Sequence, residues 1–155
     1  MKVFRISLFL FLAVCMALSA AETFGNPRAP HTVLIALENT RYKDRLVDTL
    51  VKKLNDGSVY ITVVDHKRKE LEGLDPRDYK AVFITNSGVQ AKVRPWVLDW
   101  LDSVAAYDDN VLIHTTQITE WDPPVQVDSI TSASKNSNID DVTDDIVRRL
   151  RALFQ

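Results

Sequence analysis

Three histidines, one cysteine and several short clusters of hydroxyl and amide side chains are the residues of this chain that can do chemistry. His31, His66 and His114 lie far apart, and none stands at metal-ligand spacing with another histidine, so no metal centre is expected. There is neither a Gly-x-Ser-x-Gly elbow for a nucleophilic serine nor a Walker loop for a nucleotide. His114 closes a short apolar run, where an imidazole serves either as a hydrogen-bonded strand-end residue or as a general base. The polar clusters at 85–88 (TNSG) and 115–117 (TTQ) also follow apolar runs, and Trp121 stands in a loop before two prolines. What these groups can do depends on the elements that carry them.

Residues 1–21 (MKVFRISLFLFLAVCMALSAA) read as a secretory signal peptide: Lys2 and Arg5 charge the start, an apolar run follows, and small residues precede Glu22. The run is shorter than the roughly 20 residues a helix needs to cross a bilayer, so no membrane span is expected after cleavage. A periplasmic or secreted location follows. Cleavage also removes Cys15, and with it disulfides, thiolate nucleophiles, iron–sulfur clusters and Cys-ligated zinc. The chain is 46% hydrophobic and 26% charged with a formal net charge of −2, values of an ordinary globular domain. Losing Lys2 and Arg5 makes the remainder more acidic still. Without a run of basic residues there is no electrostatic footprint for nucleic acid.

Residues 22–31, with Pro27 and Pro30, read as a linker, and 32–155 as one domain. The run 32–37 (TVLIAL) is too short for a helix and has no polar face, which predicts a strand buried on both sides. Leu46, Val47, Leu50, Val51 and Leu54 then draw one apolar helical stripe, stopped by Asn55-Asp56-Gly57. Residues 58–65 (SVYITVVD) mix their faces as an edge strand does. A third strand is expected at 80–85, ending in a turn at Asn86-Ser87-Gly88, and Pro95 opens a second helix with its stripe through Trp96, Val97, Trp100, Leu101 and Val104. Strands at 111–115 and, more weakly, 125–131 precede a last helix from about 139 to 154, acidic in its first turns and basic in its last. Repeated strand-then-helix units predict a doubly wound, five-stranded parallel sheet with the polar strands outermost, in the order 2-1-3-4-5.

The stretches VLIALENTRYKDRLVDTLVKKL, DYKAVFITNSG and NVLIHTT, with the closing acidic helix, resemble the flavodoxin-like family over nearly the whole domain. The resemblance implies a three-layer sandwich. It also implies FMN held by loops beyond the carboxyl ends of strands one, three and four. Asn39 and Thr40 match the end of the family's phosphate loop, where hydroxyls and free amides at a helix start cradle a phosphate. The front half of that loop is missing. Glu38 stands close to the phosphate position, with Arg41 as the local counter-charge, and the same residues also read simply as a helix-capping loop. Thr85, Asn86, Ser87 and Gly88, with Thr115, Thr116 and Gln117, would meet the edge of the flavin ring. Trp121 would either stack on a ring face or cover the sheet edge. The helix the family carries between strands four and five is absent.

Residues 128–134 (DSITSAS) resemble the sequence at which extracytoplasmic proteins receive FMN through a phosphoester bond, with Ser134 at the acceptor position and Ser132 replacing a glycine. The alternative is that Thr131 and Ser132 end a strand and that residues 134–138 cap the last helix. Response-regulator receivers share the strand order and would match Thr115 or Thr116 and Lys135, but no carboxylate follows the third strand to accept a phosphoryl group. Two functions remain. One is an exported flavodoxin-like protein binding FMN or a related planar, phosphate-bearing ligand, with an electron-transfer role and a protein redox partner. The other is a non-catalytic accessory or interaction protein that has lost the cofactor.

Overall fold

The computed structural model describes residues 21–119 and 121–155, so the leader expected at 1–21 lies, apart from Ala21, outside the described residues. The chain forms a mixed α/β fold with six strands and four α-helices. The strands are β1 (Glu22–Phe24), β2 (His31–Leu37), β3 (Val59–Asp65), β4 (Ala81–Ser87), β5 (Val111–Thr116) and β6 (Asp128–Ser132). The helices are α1 (Arg41–Leu54), α2 (Arg68–Glu72), α3 (Pro95–Val104) and α4 (Ile139–Ala152). The sheet order is β1-β3-β2-β4-β5-β6, with β1 antiparallel to β3 and every other pairing parallel.

The five anticipated strands are neighbours as expected, but the sheet has six strands rather than five. Residues 22–24, read as linker, pair with residues 61–63 and cover the strand that was expected to be the edge. Gly25 permits this: at φ +86 it takes a left-handed conformation, and a Cβ there would collide with the Val59 carbonyl. Three boundaries also differ. Asn86 and Ser87 continue β4 instead of turning, β6 is shifted to Asp128–Ser132, and the connection after β3 holds the short α2 and a 3-10 turn at Pro76–Asp78.

Alternation along the central strands builds two cores. Val33 and Ile35 of β2, with Ala81 and Phe83 of β4, face α1 and α4, whereas Leu34, Ala36, Val82 and Ile84 face α2 and α3. Both faces of these strands are therefore buried, which is why their sequences carry no polar alternation. Thr40 caps α1 by accepting a hydrogen bond from the Lys43 amide at 3.3 Å, and the predicted stripe from Leu46 to Leu54 packs on the sheet. No helix among the described residues is long and apolar enough to cross a membrane.

Candidate functional site

Parallel strands point their carboxyl ends the same way, so the segments after β2, β4 and β5 gather on one rim, and the strand order reverses between β2 and β4. Glu38 leaves β2 there, its amide donating to Thr85 Oγ1 at 2.7 Å. Lys43, in the first turn of α1, is 1% exposed, and its Nζ forms an ion pair with Glu38 Oε2 and donates to Ser87 Oγ at 2.7 Å. From the start of α3, Arg94 donates Nε and Nη2 to Glu38 Oε1 at 3.0 and 2.7 Å. The Arg94 amide donates to Asn86 Oδ1 at 3.1 Å, and Asn86 Nδ2 donates to Thr115 Oγ1 at 3.2 Å. One carboxylate thus ties together β2, α1, β4 and α3.

Burial works against the Glu38 charge, but hydrogen bonds from Lys43 and Ser87, the Lys43 charge and Arg94 outweigh it and hold the carboxyl at about 2. Burial also lowers the Lys43 ammonium from its ordinary value, opposed by Glu38. Behind the cluster, Trp96 Nε1 donates to His66 Nδ1 at 3.4 Å, and His66 Nε2 is buried with no partner among the described residues. Burial pushes that imidazole down to about 4.

The other half of the rim is open. Gln117, Trp121, Asp122, Thr131 and Ser132 line a groove of about 570 Å³ between the end of β5 and β6. Ile118 beside it is 91% exposed. The Trp121 carbonyl accepts from Thr131 Oγ1 at 2.9 Å, which pins its loop to β6. Beneath the groove, fully buried His114 places Nε2 2.8 Å from Ser132 Oγ, and burial lowers its basicity to about 3. The Tyr42 hydroxyl donates to Asn138 Oδ1 at 3.2 Å, and Asn138 Nδ2 donates to the Ala133 carbonyl at 2.9 Å. After β4 the chain turns through Gly88 and then through Gln90 (φ 56) and Ala91 (φ 52), two side-chain-bearing residues in the left-handed region. Gly88 is buried, and a Cβ there would sit 3.1 Å from Gln117 Oε1, Thr115 Cγ2 and the Thr116 carbonyl.

Of the residues singled out from sequence, Thr85, Asn86, Ser87, Gly88, Thr115, Thr116 and Gln117 come together, with Asn86 in register with Thr115 and Ser87 with Thr116. Asn39, Thr40 and Arg41 are exposed at the start of α1, and Trp121 stands apart on the β5–β6 loop. Ser134 is exposed between β6 and the 3-10 turn at Asn136–Asn138. The reading of Arg41 as counter-charge to Glu38 is corrected: Lys43 and Arg94 hold that carboxylate. A signal for Lys43 existed, since it precedes Leu46 and Val47 by three and four residues and so lies on the buried stripe, where a charge needs a partner. Arg94 and His66 had none, because only the chain crossings bring them to Glu38. Among the described residues no group of three or more His, Cys, Asp or Glu could hold a metal ion. Compared with family models and with curated proteins, the chain matches none.

Proposed function

We propose that this chain is an exported flavodoxin-like accessory or interaction protein whose phosphate-loop position is closed by its own carboxylate. The observation that carries the reading is Glu38 held by Lys43, Arg94 and, through Lys43, Ser87. The FMN phosphate is an anion, and a loop that receives it offers free amides, hydroxyls and unengaged positive charge. Here Lys43 and Arg94 are already paired with Glu38, the Thr40 hydroxyl caps α1, and an incoming phosphate would face the Glu38 charge with exposed Arg41 as its counter-charge. The residues at this loop do not fit the phosphate group. The test is the visible spectrum of the purified protein and a fluorescence titration with FMN. A colourless protein that leaves FMN emission unchanged is the expected result, and quenching with a Kd below about 1 μM overturns the reading.

A second reading has its own observation. The groove beside Trp121 and Gln117 and the left-handed pair Gln90-Ala91 lie on the rim where a planar ligand would bind without a phosphate grip. Riboflavin, which lacks the phosphate, separates the two. Saturable quenching of tryptophan emission by riboflavin, lost in Trp121→Ala, supports ring binding at this rim. Equal quenching of the wild type and the variant counts against it.

A further inference from the structure

The two edges of the sheet end differently. β1 pairs with β3 and covers one edge, whereas β6 pairs with β5 alone and forms the other. In a parallel ladder, alternate residues of an edge strand turn both backbone groups to the neighbour, and the residues between them turn both away. The Ser132 carbonyl accepts from the Gln117 amide at 2.8 Å, so Ser132, Ile130 and Asp128 bond β5, while Ser129 and Thr131 point N–H and C=O outward. Among the described residues none of these four outward groups has a partner. The groove of about 570 Å³ runs along this edge, with Ser129, Thr131 and Ala133 on one side and Trp121 and Asp122 on the other. Thr131 Oγ1, bonded to the Trp121 carbonyl at 2.9 Å, ties the two sides together. Asp122 is exposed, and its carboxylate has no hydrogen bond or ion pair among the described residues.

We infer that the outer edge of β6 receives an extended, basic segment of a partner protein, which adds to the sheet as a further strand. Two donors and two acceptors at strand spacing are matched by another extended backbone, and side chains alternating along that backbone supply the selectivity. Those turned toward the loop meet the Trp121 ring and Asp122, so an apolar residue followed two positions on by lysine or arginine suits the groove. A second copy suits it less. Its own edge brings Asp122 and Asp128 toward the same two carboxylates, and a five-residue edge that opens on a charge is blunted against self-pairing. This inference rests on the interaction-protein reading and gives it a surface and a partner chemistry.

The test uses a fluorescein-labelled peptide of about seven residues in which valine and lysine take turns at every second position with threonine between them. Its anisotropy is followed with the purified protein, and amide hydrogen exchange read by NMR maps where it lands. Saturable binding is expected, with the Ser129 and Thr131 amides exchanging at least about tenfold more slowly in the complex. Of two copies N-methylated at alternate amides, one in each phase, one should lose binding and the other keep it, because only one set of amides faces β6. Affinity should fall at least about tenfold in Asp122→Lys, an exposed position, and should fall as salt is raised to about 0.5 M. A matched peptide with glutamate for lysine should not bind. Absence of binding, equal binding of the two methylated copies, binding indifferent to charge reversal, or unprotected Ser129 and Thr131 amides overturns the inference. So does concentration-dependent dimerisation in sedimentation with the same two amides protected, which would seat a second copy on the edge. The FMN titration is read separately. FMN binding beside peptide binding removes only the closed-loop reading, and failure of both ligands removes only the strand addition.

Discussion

At the β2–α1 end of the rim a carboxylate, an ammonium and a guanidinium are packed against one another, with Lys43 1% exposed, while at the β5–β6 end Gln117, Trp121 and Ser132 border an open groove. Both ends belong to the same sheet and have comparable polarity in sequence. They differ in whether a helix follows the strand. After β2 and β4 the chain enters α1 and α3, whose first residues bring Lys43 and Arg94 back over the strand ends. After β5 no helix follows, and the loop to β6 leaves its polar groups facing solvent. Polar residues at strand ends are thus consumed by the fold where helices return and left available where they do not.

The largest expected effect breaks the closed end. Lys43→Ala leaves Glu38 partly buried with Arg94 alone, and removing one member of a buried pair costs about 3–5 kcal/mol of unfolding free energy, read by urea denaturation. Lys43→Met combined with Glu38→Leu should recover most of that loss. A single variant within about 1 kcal/mol of wild type would mean that the pair does not hold this end together.

Acid should act beneath both ends. His66 and His114 are held down to about 4 and about 3 in the folded protein, while the unfolded chain titrates near the ordinary value of 6.5. The unfolded state therefore binds more protons below about pH 6.5, so stability is full above that value and falls as pH drops toward the folded values. Each imidazole should remove about 2 kcal/mol between pH 8 and 5. Glu38, held at about 2, contributes stability that is lost only at lower pH, as the medium passes below the ordinary 4.5. His114→Gln should flatten the dependence by about half over that interval, and an unchanged slope would remove His114 from it.

Thr40→Ala tests the cap that the closed end takes from its own loop and should cost about 1 kcal/mol. Ala91→Gly relieves a left-handed residue beside the open end and should raise stability by about 0.5–1 kcal/mol, visible as a shifted urea midpoint. A loss there instead would mean that its side chain makes contacts outweighing the strain. The smallest effect belongs to Ile118→Ser, within about 0.5 kcal/mol, because a side chain 91% exposed contributes little to folding.

The three long helices were legible because their stripes repeat at helical spacing: Leu46 to Leu54, and Val97 with Trp100, Leu101 and Val104, lie buried as read, whereas the five-residue α2 was not. The three inner strands were legible because each holds a continuous apolar run with no polar alternation. β1 was not, since three residues, ETF, carry no periodicity and are strand only because β3 offers them a partner. The strand ends were partly legible. Hydroxyl and amide residues marked the rim, but Asn86 and Ser87 looked like a turn and proved to be strand, because pairing with Thr115 and Thr116 overrides local turn preference.

By itself the sequence determined the alternation of strand and helix, the apolar faces and the nearness of the polar clusters to strand ends, because each follows from the spacing of residues close along the chain. The tertiary structure alone decided that Glu38 meets Arg94, 56 positions away, and that His66 lies behind that pair. It also decided that β1 closes one edge of the sheet. Charge pairing and layer coverage depend on which segments cross in space, and residue spacing along a chain does not encode that crossing.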